Sequence, residues 1–203
     1  MSEHCSPPPA TSADPRYRRI LWIALVVNAA MFLVEMAGSV TSGSTALAAD
    51  AIDFAGDAAN YGLSLAAIAA GGLWASRTAL VKGLGMAAFG VGVLALCAWR
   101  ILSGEPPEPI TMGVIGALAL AANLWVAWLL YAYREGDANM RSVWLCTRND
   151  AISNLAVLGA ALGVFGTGTV WPDVAVAALM ATLAMSSAVS VIRSARAELA
   201  GGV

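Results

Sequence analysis

Six long apolar stretches, separated by short breaks rich in glycine, proline or charge, make up most of this 203-residue sequence. They lie at roughly residues 20–38, 44–70, 79–102, 110–133, 143–165 and 171–192. A helix needs about 20 mostly apolar residues to cross the hydrocarbon core of a bilayer. The pattern therefore predicts an all-α membrane protein with six transmembrane helices and no soluble domain.

The two ends of the chain are predicted to be tails that flank one six-helix membrane domain at residues 19–196. Residues 1–18 are polar and proline-rich, which is typical of a disordered segment. Residues 197–203 are expected to form a short second tail. The first apolar stretch is too long for the core of a signal peptide and lacks a convincing cleavage site, so we expect it to be retained as a helix.

Lysine and arginine predict the orientation, because these residues are enriched in cytoplasmic loops. One side of the predicted membrane domain carries only Arg100. The other side carries the residues Arg16, Arg18, Arg19, Arg77, Lys82, Arg134, Arg141, Arg193 and Arg196. Both termini and both tails are therefore expected to be cytoplasmic. The net charge of −2 provides no basic field for nucleic acid.

Acidic side chains interrupt the second apolar stretch. Asp50, Asp53 and Asp57 lie within it, and each charged residue at the middle of a bilayer costs roughly 2.5–3.5 kcal/mol on insertion scales. At about 100° per residue, these aspartates and Asn60 fall within an arc of roughly 80° on a helix. We expect this polar stripe to face the protein interior or a solvated cavity rather than lipid.

A second polar stripe lies in the fifth apolar stretch. Cys146 and Asp150 are four residues apart, and Asn154 continues the stripe by one turn. The second helix is predicted to run from outside to inside and the fifth from inside to outside. This puts Asp53 level with Asp150 and brings Asp57 level with Cys146. The four side chains form the outline of a tetrahedral cation site and are our candidate metal ligands.

Four further polar residues are predicted to line the ion pathway or to support the ligands: Glu35, Asp50, Asn60 and Asn154. Asp50 lies one turn toward the outside of the candidate ligands. An alternative stays open, because intramembrane acids also form hydrogen-bonded structural pairs or carry protons without metal. The chain would then be a non-transporting intramembrane scaffold or sensor.

The single histidine, His4, lies in the N-terminal tail beside Cys5, a pair that is weak support for metal capture. An intramembrane hydrolase would need a nucleophile with a base, and no such pair occurs in the apolar stretches. We therefore expect no enzymatic activity, no catalytic residue and no resident cofactor. Arg148 points away from the candidate site and is expected to reach toward the cytoplasm or to pair with an acid.

The sequence from Glu35 through the run of residues 38–57 resembles the cation diffusion facilitator family of proton-coupled metal efflux transporters. The run ends in Asp53-x-x-x-Asp57, which is similar to the first ligand pair of that family, and Cys146-x-x-x-Asp150 lies where the second pair is expected. The start of the sixth stretch, Trp171-Pro172-Asp173, is also similar. The likeness covers residues 18–196.

The resemblance implies a transporter of the bacterial inner (plasma) membrane that exchanges a cytoplasmic divalent cation for external protons, with a possible homodimer. Asp53, Asp57, Cys146 and Asp150 would be its transport ligands. The sequence departs from the family pattern at Cys146, where histidine or aspartate is usual. It also ends at Val203, so we expect a truncated form without the cytoplasmic C-terminal domain of the family.

The ligand set predicts both the coupling and the ion. Three carboxylates and a thiolate carry up to four negative charges against the two of a dication, so some ligands must hold protons when the site is empty. Metal binding would expel those protons, which is a direct route to antiport. A thiolate favours Zn²⁺ or Cd²⁺, while the oxygens also admit Co²⁺. Zinc is the first expectation, with cadmium or cobalt next.

Overall fold

The computed structural model of the chain describes residues 15–70, 72–133 and 138–201. Side chains are described throughout these ranges except at 67–70, 72–76, 78, 138–143, 145, 198 and 201. His4, Cys5, the predicted break at Gly71 and residues 134–137 lie outside the described residues, and so does the side chain of Arg141.

All regular secondary structure in the described ranges is helical. The α-helices are α1 (Pro15–Ser42), α2 (Thr45–Ala70), α3 (Gly72–Ser103), α4 (Pro109–Leu130), α5 (Ala138–Thr167) and α6 (Trp171–Gly201). A short 3₁₀ turn, Tyr131–Tyr133, follows α4. The all-helical fold is therefore as the sequence predicts.

Several helices extend beyond the apolar stretches that predict them. α1 begins at Pro15, so residues 15–18 are helical rather than part of a disordered tail. α6 continues to Gly201, through most of the predicted C-terminal tail. The reason is that apolar content marks only the part of a helix that lies in lipid, whereas the backbone hydrogen bonds of a helix continue into polar sequence.

Glycines end three of the helices. Gly43, Gly104 and Gly168 have φ angles of 76°, 69° and 63°, in the left-handed region that glycine adopts without steric penalty. Each donates its backbone N–H to the carbonyl four residues earlier, at 2.9 Å, 3.0 Å and 2.7 Å, respectively. This is the usual way for a helix to end in a left-handed residue, and it allows the short turns after α1 and α5.

The fold places α2 at the centre of the helix bundle. α1 packs against α2, α3 against α6 and α4 against α5, and α2 also contacts α3, α5 and α6. The helix with three aspartates is therefore surrounded by protein, which reduces the cost of its acidic side chains.

Five helical segments are long and apolar enough to cross a membrane: Pro15–Ser42, Ala79–Ser103, Pro109–Tyr133, Cys146–Thr167 and Trp171–Ala197. Large apolar side chains on their outer surfaces, such as Leu33, Phe89, Trp128 and Leu162, are exposed, as expected for residues that face lipid. The described part of α2, which carries three aspartates, is not among the five. The predictions of six transmembrane helices and of cytoplasmic termini stay predictions.

Candidate metal site

A carboxylate from another helix caps the N-terminus of α2. Ser44 precedes the helix, and its hydroxyl accepts a hydrogen bond from the Leu47 N–H at 3.1 Å. The fully buried Asp173, near the start of α6, accepts the backbone N–H groups of Thr45 at 2.8 Å and Ala46 at 3.0 Å. The first N–H groups of a helix have no partner within the helix and favour a negative charge. α6 therefore supplies the cap of the polar helix.

Asp173 also accepts two hydroxyl hydrogen bonds, from Ser44 and from Thr45, each at 2.5 Å. The sequence predicts no role for this residue. The sequence shows an acid in the first turn of a helix that is otherwise apolar at its start. No feature of the neighbouring sequence indicates that this acid binds the start of α2.

One turn into α2, buried hydrogen bonds join α2, α4 and α5, and Glu35 of α1 lies beside them. The Asn154 amide nitrogen donates to Asp50 at 2.7 Å, and the Asn123 amide nitrogen donates to the Asn154 oxygen at 2.9 Å. The Asp50 carboxyl also meets the Glu35 carboxyl of α1. These four side chains are almost inaccessible to solvent, with exposures of 0–2%. The predicted supporting residues Glu35, Asp50 and Asn154 thus lie together, and Asn123 joins them.

The carboxyl group of Asp150, on α5, lies within hydrogen-bonding reach of those of Asp53 and Asp57, on α2. Asp57 is buried, while Asp53 and Asp150 are half-buried. Ionised carboxylates this close repel each other, so a shared proton or a bound cation would stabilise the arrangement. The buried Oδ2 atom of Asp150 accepts no hydrogen bond from a donor in the described part of the chain.

The other two predicted residues, Asn60 and Cys146, lie beside the C-terminal half of α2. Asn60 accepts a hydrogen bond from the Lys82 ammonium of α3. Cys146 is half-buried on α5, and it would bind a metal as the reduced thiolate. Its neighbour Thr147 shares a hydrogen bond of 2.7 Å with Tyr61 of α2. This contact keeps α2 and α5 together beside the position of Cys146.

Across the residues that the structure describes, no three histidine, cysteine, aspartate or glutamate side chains form a ready-made metal-binding group. Asp53, Asp57 and Asp150 nevertheless meet, and we refer to them as the carboxyl cluster. Arg148 lies apart from it, with its guanidinium 5.4 Å from the centre of the Trp144 ring and a hydrogen bond of 3.2 Å to Asn149.

Residues 21–200 match the cation efflux transmembrane domain. The chain belongs to the cation efflux family. The match covers all six α-helices except the first six residues of α1 and the last residue of α6. With its apolar helices, this makes the chain a multi-pass membrane protein of the bacterial inner membrane, as the sequence predicts.

Bacterial transport proteins are among the relatives of this family member. It is 29% identical over 203 residues to the zinc transporter ZitB of Escherichia coli (strain K12), covering 93% of the chain and 64% of ZitB. It is 26% identical over 174 residues to the metal cation efflux system protein CzcD of Cupriavidus metallidurans, covering 80% of the chain and 55% of CzcD.

A third relative is the cadmium, cobalt and zinc/H⁺-K⁺ antiporter of Bacillus velezensis, 23% identical over 186 residues, with 84% of the chain and 59% of the relative covered. The chain thus spans less than two thirds of the length of each of these three relatives.

Proposed function

We propose that this protein transports a divalent metal cation, Zn²⁺ before Cd²⁺ or Co²⁺, out of the cytoplasm in exchange for external protons. The observation that carries the proposal is the carboxyl cluster, in which Asp150 of α5 meets Asp53 and Asp57 of α2. The buried Oδ2 atom of Asp150 has no hydrogen-bond partner among the described residues and is therefore available to a cation. The names of the three relatives, which include zinc, cadmium and cobalt, support the same class of substrate.

In this proposal, reduced Cys146 completes a four-ligand site with the carboxyl cluster. The register of α2 and α5 supports it, because the Asn154–Asp50 and Tyr61–Thr147 hydrogen bonds lie on either side of the cluster. In an antiparallel pair held at these two points, Cys146 lies about one helical turn from the level of Asp57, on the side of Tyr61. Sulfur favours zinc or cadmium over harder ions.

The exchange of metal for protons follows from charge. Carboxyl groups that meet without metal must share protons, and a dication that binds to them expels those protons. We propose six transmembrane helices with both termini in the cytoplasm, so that α2 crosses the bilayer with its aspartates directed to protein. External protons would then return to the cluster after the metal has left. A homodimer is compatible with this mechanism and is not required by it.

The test is zinc flux into proteoliposomes that contain the purified, reduced protein and an internal zinc indicator. We expect an acidic interior to accelerate zinc entry and Asp150→Asn to reduce it to the background of empty vesicles. Glu105→Gln is the matched control, since it removes a carboxylate from an exposed loop, and it should transport as the wild type does.

Two results would contradict different parts of the proposal. Absence of zinc, cadmium and cobalt flux in the wild-type protein would refute transport and favour a scaffold with buried acidic pairs. Flux that is independent of the imposed pH gradient would refute proton exchange alone.

A further inference from the structure

The Lys82 side chain reaches the polar face of α2 from α3. Its ammonium donates a hydrogen bond to the Asn60 amide oxygen. One turn further along α3, Met86 packs against Gly56, where an added methyl group would lie 3.4 Å from the Met86 Cε atom. Two contacts, four residues apart on both helices, therefore fix which face of α3 meets α2.

That face of α2 also carries the aspartates of the carboxyl cluster. Asp57 is three residues before Asn60, and Asp53 is one turn earlier, so both lie along the surface that Lys82 approaches. Because Asn60 holds the ammonium, the positive charge lies about one helical turn from Asp57 on this face of α2. Asn60 lies on the C-terminal side of these aspartates, which is the cytoplasmic side in the proposed orientation.

Lys82 is the only lysine among the 11 lysine and arginine residues of the sequence. An intramembrane cation is costly unless an acid compensates for it, and Lys82 is half-buried within an apolar segment. Arginine would bind carboxylates through a planar, two-pronged contact, whereas lysine is a single charge on a flexible stem that is easily moved. Lysine is therefore better suited than arginine to carry a positive charge that moves away from the aspartates.

We propose that Lys82 is a tethered cation that neutralises the carboxyl cluster in the absence of metal and that an incoming dication displaces it. This inference rests on the proposed function, because it assigns the regulation of the same site. Lys82 is a positioning residue in this scheme: it competes with the metal and does not bind it. Its place on the cytoplasmic side means that the ion must pass the ammonium to reach Asp57.

Zinc titration calorimetry of the reduced, detergent-solubilised full chain tests the competition. Removal of the competing charge in Lys82→Met should tighten zinc binding about tenfold, while Lys82→Arg should not tighten it. Arg77→Met is the control, since it removes an exposed cation from the same helix and should leave the affinity unchanged. Affinity in Lys82→Met that equals or falls below that of the wild type would overturn the inference.

Amine acylation measures the displacement itself, without any variant. Lys82 is the only lysine, so mass spectrometry compares a single side chain with the N-terminal amine as an internal reference. Saturating Zn²⁺ should increase the acylation rate of Lys82 several-fold relative to that reference. An unchanged or lower rate with bound zinc would contradict displacement.

The two proposals can fail separately. A wild-type protein that binds no zinc in the calorimeter contradicts the proposed function. A protein that binds and transports zinc, but whose Lys82 variants and acylation rates show no competition, contradicts only the role of Lys82.

Discussion

The Asn154 side chain donates a hydrogen bond of 2.7 Å to Asp50, and so links the two helices whose acids form the carboxyl cluster. Asn154 also accepts the Asn123 amide, so one side chain connects α2, α4 and α5. Because it lies one turn from Asp150, this contact determines the height at which the α5 carboxyl meets those of α2.

Asn154→Leu keeps the branched shape of the side chain but leaves Asp50 without its donor and Asn123 without its acceptor. Buried groups left without partners cost about 1–3 kcal/mol, so we expect the free energy of unfolding in detergent to fall by about that amount. Ser153→Ala is the control, because that hydroxyl bonds to the Asn149 carbonyl on its own helix, at 3.4 Å. Equal stability of the two variants would contradict the importance of the network.

Asp173→Asn should destabilise the start of α2. The substitution removes the charge and places an NH₂ group where a carboxylate oxygen now accepts the Thr45 N–H and hydroxyl. Loss of a helix cap typically costs about 0.5–2 kcal/mol, and we expect a loss near the upper end because Asp173 is fully buried. The measurement is chemical unfolding followed by circular dichroism.

The matched comparison for Asp173 is Glu108→Gln, at the start of α4. Glu108 caps its own helix through the Ile110 and Thr111 N–H groups at 2.9 Å and 2.6 Å, and it is exposed to solvent. We expect a smaller loss of stability, because water replaces the partners of an exposed cap. A loss as large as that of Asp173→Asn would show that burial does not decide the effect.

Glu108 also predicts a pH dependence. Hydrogen bonds from the Thr111 side chain and from the backbone N–H groups of Thr111 and Ile110 lower the pKa of Glu108 below its ordinary value of 4.5. A lowered pKa stabilises the folded state above pH 4.5, and this stabilisation disappears as the pH falls through the pKa of the folded state.

Melting temperatures of the wild type and Glu108→Gln test that pH dependence. The difference between them should be largest above pH 4.5 and should shrink in more acidic buffer. Glu105→Gln, in the same loop, controls for the change in net charge. A difference that is constant from neutral to acidic pH would refute the role of the ionised cap.

Two glycines of α3 provide a matched test of helix packing. A methyl group added at Gly90 would lie 2.7 Å from the Met185 Cγ atom of α6, whereas one added at Gly92 would meet nothing within 4 Å. Overpacking typically costs about 1–3 kcal/mol, while alanine in a helix gains about 0.5–1 kcal/mol over glycine. Thermal unfolding should therefore show Gly90→Ala destabilised and Gly92→Ala unchanged or stabilised, and the reverse order would contradict the α3–α6 contact.

Cys146→Ser should change the ion preference of the proposed site. Under reducing conditions, replacing a soft sulfur with oxygen is expected to weaken Cd²⁺ and Zn²⁺ binding by tenfold or more relative to Mn²⁺. Isothermal titration with the three ions, on wild type and variant, measures this ratio. An unchanged ratio would exclude Cys146 from the site while leaving the carboxyl cluster as a candidate.

The spacing of residues along single helices was predictable from the sequence. Asp50 and Asp57 are buried, as expected for acids in an apolar segment that must avoid lipid. The approach of Asp150 to α2 could also be anticipated, since antiparallel helices with charged stripes must bring those stripes together. The helix ends were predicted less accurately, because α1 begins at Pro15 and α6 continues to Gly201, both in polar sequence.

Long-range partners were not predictable in this way. In the sequence, Lys82 served only as one of the positive charges that predict the cytoplasmic side. Its hydrogen bond to Asn60 depends on the rotation of α3 against α2. Asp173 and Thr45 are separated by 128 residues. No periodicity within either segment indicates that the carboxylate of one helix completes the backbone hydrogen bonds of another.

The sequence by itself determined an all-helical membrane protein with acids on the second and fifth helices, because hydrophobic periodicity and the cost of charge in lipid act locally along the chain. Only the tertiary structure decided that Asp173 caps α2, that Asn154 sets the register of α2 and α5, and that Lys82 approaches the carboxyl cluster. Those contacts depend on the relative rotation and height of packed helices, which arise from the whole bundle and not from any one segment.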